Sequence, residues 1–471
     1  MTDSLAHTAP AALAGTDNVL VHPGTAEYEA ARTLWNAMID RHPALIIQPG
    51  TTEAVAAAVR FAVSIGQPVA VKGGGHSAPG YSMCNDGIVI DLSRINEAHV
   101  DPETKIARLG GGALLGALDR ATAEHELAVT AGAVSHTGAG GLILGGGFGH
   151  LMRRFGLSID NLIGATVVLA DGRIVDADDE NEPDLFWALR GGSGNFGIVT
   201  EFRFRCHDFG REVFVSAPIV ELHNAKAALE IWRRGMADAP DELTWNNFFR
   251  GAPALEGFEW VPEHLREKAV LMMPMIWAGD PAEGERQVTA RLDLLGDLVT
   301  VTTGGVMPYV ELQGLFDEVF AHGRRHYAKA GFLTELPDEA IDTIIEAMHN
   351  LPHHASQIEL MRLGGAVARV PADATAFPHR EADYPFNLIG LWDDVEQDPE
   401  VRQWVRDLYD RLEPFSSGGT YVNYAGGEET GGARSAYGDG VGGRTWDRLV
   451  ELKQTYDPEN LFRFNANLAQ A

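Results

Sequence analysis

A histidine behind three consecutive glycines is the first residue of this chain whose surroundings point to chemistry. His76 follows Gly73, Gly74 and Gly75, which come directly after a predicted strand. Consecutive glycines let backbone N–H groups approach an anion such as a diphosphate and adopt positive φ. The imidazole would then lie beside that anion as a nucleophile. Alternatively, His76 is an ordinary loop histidine, which is the commoner case.

Glycines are densest in a second stretch, residues 132–149. It contains eight of them: Gly132, Gly138, Gly140, Gly141, Gly145, Gly146, Gly147 and Gly149. Each glycine costs conformational entropy on folding, so such density needs a compensating contact. A flexible linker is the alternative, but Leu142, Ile143 and Phe148 are apolar, unlike the residues of Gly/Ser linkers. We therefore expect this backbone to pack against a large planar ligand.

A third glycine-rich run lies within Phe186 to Val199. It ends a predicted helix and opens a predicted strand, so it is either a turn near a ligand or a plain helix-to-strand corner. A dinucleotide-binding fingerprint has the opposite order, with a strand before its glycines and a helix after them. A nicotinamide-dependent dehydrogenase is therefore disfavoured.

Up to about residue 206, predicted strands alternate with predicted helices, and these elements must position the glycine-rich runs. Val55, Val59 and Val63 recur at helical spacing and predict a helix from Thr52 to Val63. The predicted strands are Ala44 to Ile47, Pro68 to Val71, Ile88 to Leu92 and Ile106 to Leu109. Ala113 to His125 is a second predicted helix, and Ala165 to Leu169 forms a predicted hairpin with Ile174-Val175 around Asp171-Gly172.

Glycine becomes sparse from about residue 209 to 418, where strands alternate with longer amphipathic helices. The predicted strands are Val213 to Ile219, Ala269 to Met275, Leu298 to Thr303, Gln357 to Leu363 and Phe386 to Trp392. The predicted helices are Leu222 to Met236, Glu283 to Leu295, Asp338 to His349 and Pro399 to Leu412. This pattern predicts an α+β layer with one sheet covered by helices on one face. The Gly-rich end, with a helix from Trp446 to Tyr456, indicates a return to the first domain and gives domains at 1–208, 209–418 and 419–471.

Composition limits the partners and the compartment. A net charge of −29 argues against nucleic acid, whose phosphates need clustered Lys and Arg. No apolar run suits a membrane helix and Met1 to Gly15 does not resemble a secretory signal, so we expect a soluble, cytoplasmic protein. Cys84 and Cys206 cannot form a disulfide scaffold and lack metal-ligand spacing, and a single bridge between them is disfavoured because nothing suggests an oxidising compartment. Strong negative charge with few lysines is also typical of proteins from concentrated salt, although an arginine-preferring genome gives the same composition.

Several runs, in this order, resemble the FAD-linked oxidase family typified by vanillyl-alcohol oxidase, and within it the berberine-bridge-enzyme branch. They are Val71 to Tyr81, Asp86 to Leu92, Gly145 to Gly149, Gly156 to Leu162, Leu185 to Val199, Tyr421 to Tyr424, Tyr437-Gly438 and Tyr456 to Phe462. The resemblance spans nearly the whole chain. It implies a PCMH-type FAD-binding domain built from the N- and C-terminal segments, and a substrate domain whose antiparallel sheet is covered by helices.

The resemblance implies FAD as the cofactor, bonded covalently through His76 to the flavin 8α-methyl group. The other residues it assigns to cofactor binding are Val71, Lys72, Gly73, Gly74, Gly75, Ser77, Gly80, Tyr81, Gly132, Thr137, Gly138, Gly140, Gly141, Gly145, Gly146, Asp160, Asn161, Gly197, Ile198, Val199, Asn423 and Asn465. Some members add a second link from a cysteine two residues after Gly132, where this chain has Val134. We therefore expect a single link, and in this respect the chain resembles the bacterial 6-hydroxy-D-nicotine oxidases.

Tyr424 and Tyr421 are the catalytic residues that the resemblance implies, because a tyrosine of the Tyr-x-Asn-Tyr run acts as base or hydrogen-bond acceptor in relatives. A phenol of pKa ~10 is a poor base unless neighbours stabilise its anion. Alternatively, both tyrosines are strand residues that pack on the core. Some plant relatives use a Glu or Gln of the substrate sheet, but the corresponding run here, Gly364 to Arg369, has no carboxylate. Glu359, Met361, Arg369 and Trp392 either line the pocket or belong to the ordinary sheet and core.

The electron acceptor is the last expectation that the resemblance gives. Relatives control oxygen access with a residue that corresponds to Thr137, whose small size favours an oxidase, although Leu142 replaces a histidine that some relatives place near the flavin. The predicted reaction is hydride transfer from an alcohol, sugar or amine carbon of a small-molecule substrate to FAD, and then to O2 to give H2O2. A dehydrogenase with another acceptor and a flavin-binding protein without turnover are the alternatives. No metal is expected.

Overall fold

The computed structural model describes residue 9 and residues 11–427, 433–438 and 444–470. The other residues lie outside the described part, and they include most of the stretch from Met1 to Gly15 that we compared with secretory signals. Within the described ranges, no helix is both long and apolar enough to cross a membrane. Cys84 and Cys206 are free and buried, and burial raises the pKa of both thiols to about 11.

The first sheet is formed by four short strands near the N-terminus. Its order is β1-β2-β4-β3, with Asn18–Val21 as β1, Leu45–Pro49 as β2, Val69–Lys72 as β3 and Ile88–Asp91 as β4. Strands β2, β4 and β3 are parallel, and β1 is antiparallel to β2. The helix Thr52–Ser64 connects β2 to β3 and buries Val55 and Val59 in the apolar cluster of this sheet. The Thr51 side chain caps this helix by accepting a hydrogen bond from the Ala54 N–H.

A second, antiparallel sheet has the order β5-β6-β10-β8-β9. Its strands are Ala98–Asp101 (β5), Ile106–Gly110 (β6), Leu162–Val168 (β8), Ile174–Ala177 (β9) and Ile198–Arg205 (β10). Strand β7, Leu127–Ala128, pairs separately with β11, His207–Asp208. The predicted hairpin around Asp171-Gly172 is confirmed as the β8–β9 pair. The other α-helices in this half are Ala26–Arg32, Leu115–Ala123, Ala139–Leu144, Met152–Phe155 and Pro183–Leu189.

The largest sheet comes from the middle of the chain and has seven antiparallel strands. In spatial order they are Val299–Val301 (β18), Ile219–Glu221 (β13), Ala269–Met272 (β16), Asn247–Gly251 (β15), Gln357–Leu360 (β21), Tyr384–Trp392 (β22) and Arg325–Leu333 (β20). Its apolar cluster also takes in side chains of four helices, Ala225–Gly235, Pro281–Leu295, Asp338–Met348 and Asp398–Leu412. Two shorter helices, Tyr309–Gly314 and Ala366–Arg369, complete this part of the chain.

The prediction of one sheet in the middle of the chain is wrong. A further four-stranded sheet has the order Leu243–Trp245 (β14), Met275–Trp277 (β17), Glu212–Ser216 (β12) and Gly304–Pro308 (β19). Two strands that we predicted as continuous, Val213 to Ile219 and Ala269 to Met275, are each divided between the two sheets. Both breaks contain a proline, Pro218 and Pro274, which has no N–H to continue a ladder. The Met273 N–H donates to the Pro218 carbonyl at 2.9 Å, so the two breaks lie side by side.

The C-terminal segment packs on the first half of the chain. Trp446 and Leu449, in the helix Arg444–Tyr456, share an apolar cluster with Phe202 and Phe204 of β10. The Lys453 ammonium is buried and donates to the carbonyl oxygens of Asn195, 2.8 Å, and Phe462, 3.0 Å, and to the Asp457 carboxylate, 2.7 Å. The predicted return of the C-terminus is thus seen as packing, while the domain boundaries at 208 and 418 stay a prediction.

Candidate functional site

The loop that carries His76 begins where the parallel strand β3 ends, an edge at which ligands commonly bind in α/β sheets. Residues 74–77 belong to no helix or strand, and within the described chain none of their N–H groups donates to another backbone group. Gly75 has φ +73°, a left-handed conformation that suits glycine. Four consecutive N–H groups without backbone partners are available to bind an anion.

The second glycine stretch contacts that loop backbone to backbone. A Cβ atom on Gly74 would lie 2.4 Å from the Cα of Gly138, and one on Gly138 would lie 2.2 Å from the backbone N of Gly74. A side chain at either position would push the loops apart. The close approach brings Thr137 to His76, with 3.5 Å between the Thr137 Oγ1 and the His76 Nδ1.

One large cavity is lined by both loops, by the third glycine-rich run, by the C-terminal segment and by the seven-stranded sheet. Most of the predicted cofactor-binding residues line it: His76, Val71, Gly73, Gly74, Gly75, Ser77, Tyr81, Gly132, Thr137, Gly138, Gly140, Gly141, Gly197, Ile198, Val199, Asn423 and Asn465. The fold therefore gathers in one place residues from both ends of the chain.

Asp160 and Asn161 do not line the cavity, contrary to the expectation. Asp160 forms an ion pair of 2.6 Å with Arg380, and both side chains are buried. Asn161 donates to the carbonyl oxygens of Phe155, 3.0 Å, and Leu157, 2.9 Å. Both residues therefore hold the turn that precedes β8, because their polar atoms are already satisfied by protein partners.

Lys72, Gly80, Gly145 and Gly146 also lie away from the cavity wall. The Lys72 ammonium donates to the Ala31 carbonyl at 2.7 Å. Each of the three glycines instead gives room to a neighbouring side chain. A Cβ on Gly145 would lie 2.1 Å from the Asn423 Oδ1, while Gly80 faces Ile39 and Gly146 faces Tyr421 and Phe377. These three glycines therefore accommodate neighbouring side chains and do not line the cavity.

His76 lies among aromatic and imidazole rings that the sequence did not single out. Its ring stacks on Trp35, with 4.9 Å between centroids and 12° between planes, and its Nε2 lies 2.8 Å from the Nδ1 of His136. The His322 ring stands edge-on at 5.5 Å. Burial, followed by the neighbouring His136, His322 and His326, lowers the pKa of His76 well below its ordinary value. His76 is therefore neutral at physiological pH, with a lone pair available for bond formation.

Val134 lines the cavity, and neither cysteine does. Cys84 is buried behind the first sheet, in a cluster with Tyr28 and Ala70, and Cys206 lies in the cluster of the second sheet. The chain thus offers no thiol for a second link in this cavity.

A wall of the cavity is formed by one row of side chains across the seven-stranded sheet. Phe248 of β15 is the cross-strand partner of Glu359 in β21, and Glu359 is the partner of Asn387 in β22. All three line the cavity, together with Met361 two positions after Glu359. Because alternate residues of a strand share a face, the pairing places these side chains next to one another.

Glu359 is the one Asp, Glu, Lys or Arg among the described residues that line the cavity. Its Oε1 accepts a hydrogen bond of 3.0 Å from Gln357, and its Oε2 one of 3.4 Å from Asn387. Burial raises the pKa of Glu359 to about 7, against the opposing effects of these two donors and of Arg250. A carboxyl that exchanges its proton near neutral pH is suited to general acid–base chemistry. The carboxylate missing from the run Gly364 to Arg369 is therefore found five residues upstream of it.

The tyrosines at 421 and 424 lie in a turn, so the alternative that they are strand residues is wrong. The Tyr421 hydroxyl accepts hydrogen bonds from the Gly147 N–H and the Asn423 Nδ2, both at 2.8 Å, and burial raises its pKa to about 12. Tyr421 does not line the cavity. Its hydroxyl joins two chain segments through these bonds, and the catalytic role that the resemblance implies for it stays a prediction.

Tyr424 does line the cavity. Burial, followed by the charges of Glu359 and Tyr421, raises its pKa well above the ordinary value. Its phenol is therefore protonated at neutral pH and serves as a hydrogen-bonding group, whereas Glu359 is the group able to take a proton. Of the other open expectations, Met361 lines the cavity, Trp392 is core and donates to Asp398 at 2.9 Å, and Arg369 is exposed and paired with Asp241.

Several other residues of the cavity wall were not singled out in the sequence. They include Trp35, His150, Asn246, Phe248, Phe316, Phe320, His326, Ala328, Asn387 and Phe464. Their runs have the same local pattern as core strands and turns, because their role depends on which elements face each other. His136, which contacts His76 without lining the cavity, was also missed, although it directly precedes Thr137 in a stretch already under consideration.

Four lining residues carry buried polar atoms that have no partner among the described residues. They are the Nε2 of His150, the Nδ1 of His326, the Oδ1 of Asn387 and the Oδ1 of Asn465. Buried polar atoms are nearly always hydrogen-bonded, so unpaired ones that face a cavity indicate a ligand with polar groups.

Known proteins were compared with this chain. Family models match residues 43–178 as an FAD binding domain and residues 420–469 as "Berberine and berberine like". An FAD-linked oxidoreductase of Dictyostelium discoideum is 30% identical over 96% of this chain and 94% of its own length. The glucooligosaccharide oxidase of Sarocladium strictum is also 30% identical, over 96% of this chain and 92% of its own. The crystal structure of 6-hydroxy-D-nicotine oxidase from Arthrobacter nicotinovorans superimposes with a TM-score of 0.83 at 26% identity, covering 96% of this chain and 98% of that one.

These matches span both glycine loops, the sheet wall and the C-terminal turn that together enclose the cavity. Relatives of this identity and coverage are named as FAD-linked oxidoreductases and oxidases. The chain is therefore an FAD-dependent oxidoreductase of the berberine-bridge-enzyme-like family.

Proposed function

We propose that this enzyme is an oxidase that transfers a hydride from an alcohol, sugar or amine carbon of a small substrate to FAD linked through His76, and then passes the electrons to O2. One observation carries the proposal. A single cavity is lined at once by the neutral His76 of the glycine loop and by Glu359 and Tyr424. An attachment residue, a proton acceptor and a hydrogen-bonding group thus share one enclosed space.

The residues present fit FAD. The N–H groups of residues 74–77 suit its diphosphate, and the unpaired Oδ1 of Asn465 awaits a donor. Gly141 and Gly194 line the cavity and have open space where a Cβ would stand, which leaves room for a flat ring system against the backbone. Bound FAD would supply the hydride acceptor, a chemistry that protein side chains lack.

Glu359 would take the proton that the substrate loses with its hydride. A pKa of about 7 leaves a large share of the carboxyl ionised at neutral pH and still makes it basic enough to accept a proton. Gln357 holds one carboxylate oxygen at 3.0 Å, so the other is turned towards Asn387 and the cavity. The Tyr424 hydroxyl and the unpaired Asn387 Oδ1 would orient the reacting O–H or N–H group of the substrate.

Aromatic side chains enclose the reacting end of the cavity. Phe248 and Phe316 are 5.9 Å apart between ring centroids, and Phe320 lines the same cavity. Such walls exclude water, which strengthens the hydrogen bonds of the polar groups between them.

Two observations support the single covalent link and the use of O2. Val134 stands where a second, cysteine link would form, and burial keeps the imidazole of His76 neutral at the glycine loop. Thr137 is a small side chain beside His76 in the cavity wall. Relatives named as oxidases, for glucooligosaccharide and 6-hydroxy-D-nicotine, favour O2 as the acceptor.

The test is to purify the protein, precipitate it with acid and measure the flavin absorbance of pellet and supernatant. We expect flavin in the pellet of wild-type protein and in the supernatant of the His76→Ala variant. A panel of sugars, alcohols and cyclic amines is then screened for bleaching without oxygen and for peroxide with oxygen. Bleaching without oxidase turnover would make the enzyme a dehydrogenase, and a flavin that no substrate bleaches would indicate a flavin-binding protein. Flavin wholly in the wild-type supernatant would contradict the covalent link.

A further inference from the structure

We propose that His136 is the positioning residue for flavin attachment at His76, accepting the His76 Nε2 proton and leaving Nδ1 as the bonding atom. This role rests on the proposed link through His76. His136 does not line the cavity, so it acts through His76 and does not touch the cofactor.

The tautomers of both rings follow from one carbonyl group. The Nε2 of His136 lies 3.3 Å from the carbonyl oxygen of Asp317, which can only accept, so this nitrogen carries the proton. The Nδ1 of His136 is then the acceptor towards His76, and it lies 2.8 Å from the Nε2 of His76. The Nε2 of His76 must therefore donate, which leaves its Nδ1 unprotonated, with the Thr137 hydroxyl as its long hydrogen-bond partner at 3.5 Å.

The loop around His136 is held in place by the same aspartate. The Asp317 carboxylate accepts hydrogen bonds from the Ser135 N–H, 2.8 Å, and the Ser135 hydroxyl, 2.6 Å. On the other side, Trp35 stacks on the His76 ring and donates its Nε1–H to the Phe320 carbonyl at 2.5 Å. Both imidazoles are thus fixed by groups from separate parts of the chain.

The free nitrogen of His76 is on the cavity side. Its neighbour at 3.5 Å is the hydroxyl of Thr137, a residue that lines the cavity. The protonated nitrogen is covered by His136, outside the lining. Bond formation at Nδ1 therefore needs no rotation of the ring.

The attachment step balances with this proton acceptor. A bond forms between the His76 Nδ1 and the 8α carbon, one C–H bond of the 8α-methyl group breaks, and its electron pair reduces the ring system. The alkylated imidazole is cationic until it loses the Nε2 proton, which His136 accepts. The methyl proton would stay with the reduced ring system and the Nε2 proton would leave through His136, so the ring system would hold two electrons and one proton. O2 would take these, together with one proton from solvent, to give hydrogen peroxide.

A route for that proton continues from His136 towards solvent. The ring of His322, which is exposed, lies 5.0 Å from the His136 ring between centroids. In this proposal His322 would be the group that relays the proton from His136 to solvent.

Two variants separate the acceptor from the ring. His136→Leu removes the hydrogen bond, whereas His136→Asn places an amide oxygen close to the position of Nδ1 and keeps an acceptor that cannot carry the proton onward. His125→Asn, at an exposed helix end, is the matched control. Total FAD, the acid-stable fraction and the time course of attachment after FAD addition are measured on each purified protein. We expect FAD binding in all of them, attachment about 100-fold slower in His136→Leu, an intermediate rate in His136→Asn, and wild-type behaviour in the control.

The isomer of the histidyl-flavin gives a readout that a purely structural role would not change. After proteolysis, comparison with the two synthetic histidyl-riboflavin isomers should identify the Nδ1 isomer in wild-type protein. An Nε2 link, or undiminished attachment in His136→Leu, would overturn the role of His136 alone. Wild-type flavin that is wholly released by acid would overturn the link through His76, and the role of His136 with it.

Discussion

Replacing Glu359 with glutamine should stabilise the protein at alkaline pH and leave its stability unchanged at acid pH. Glu359 is 9% exposed, and its carboxylate accepts hydrogen bonds from Gln357 and Asn387. A glutamine at 359 keeps the hydrogen bond from Gln357 through its own Oε1. Asn387 has an unpaired Oδ1, so turning its amide over lets it accept from the new Nε2–H. The substitution therefore removes the charge and keeps both hydrogen bonds.

The size of the effect follows from the pKa of Glu359. Burial raises that pKa from 4.5 to about 7. Below pH 4.5 the folded and unfolded chains both hold the proton, so the two proteins should be equally stable. Between pH 4.5 and about 7 the unfolded chain ionises while the folded chain keeps its proton, so the wild type loses stability as pH rises. With each pKa unit worth about 1.4 kcal/mol, the variant should gain about 3 kcal/mol above pH 7.

Urea unfolding of flavin-loaded protein, followed by tryptophan fluorescence at several pH values from 4.5 to 8.5, measures this difference. The control is Glu285→Gln, an exposed glutamate in the helix Pro281–Leu295, which should leave stability the same at every pH. A stability difference between Glu359→Gln and wild type that does not grow with pH would refute the inference that burial holds the proton on Glu359. So would a variant less stable than wild type at pH 8.5.

Three further outcomes are expected. Tyr424→Phe should slow flavin reduction by substrate about 10-fold in stopped-flow measurements, the loss of one hydrogen bond, whereas a loss of about 100-fold or more would restore the tyrosine as base. Lys453→Met should lower the free energy of unfolding by about 3–5 kcal/mol because it leaves the buried Asp457 unpaired; Lys226→Met, at an exposed ion pair, should change it far less. Raising KCl to about 1 M should raise the melting temperature by screening the net charge of −29, and a flat melting temperature would contradict adaptation to salt.

Local elements were predictable where local physics decides them. The helix predicted from Thr52 to Val63 is confirmed within one residue, because its apolar spacing and its Thr51 cap lie within the same stretch. The division of Val213 to Ile219 was missed although Pro218 marks it, since the sequence does not show that two sheets meet there. The strand Arg325–Leu333 was missed because it carries His326 and Lys329, and Lys329 is buried with its ammonium over the Tyr409 ring, 4.4 Å from the centroid.

The glycine loops of the site were predictable for the same reason, and the supporting residues were not. Gly74 and Gly138 must be glycines because their backbones are in contact, and a run of glycines in the sequence indicates such a contact. Asp160 was misassigned because its partner, Arg380, is 220 residues away along the chain. Glu359 could not be told from an ordinary strand residue, since its burial comes from strands that pair with it only in the fold.

Burial lowers the pKa of the histidines that line the cavity and raises the pKa of Glu359 and Tyr424. These opposite shifts predict a simple pH dependence of the reaction rate. Burial lowers the pKa of His150 and His326 to about 4 and that of His76 well below its ordinary value, so all three are neutral at pH 7. It raises the pKa of Tyr424 well above its ordinary value and that of Glu359 to about 7. Glu359 is thus the member of this group that changes charge near neutrality.

The rate of flavin reduction by a substrate that does not itself titrate should therefore rise through one ionisation near pH 7, because a base must be unprotonated to act. Glu359→Gln should remove that ionisation and slow the reaction about 100-fold or more. An ionisation near pH 7 that survives in the glutamine variant would assign the proton transfer to another group.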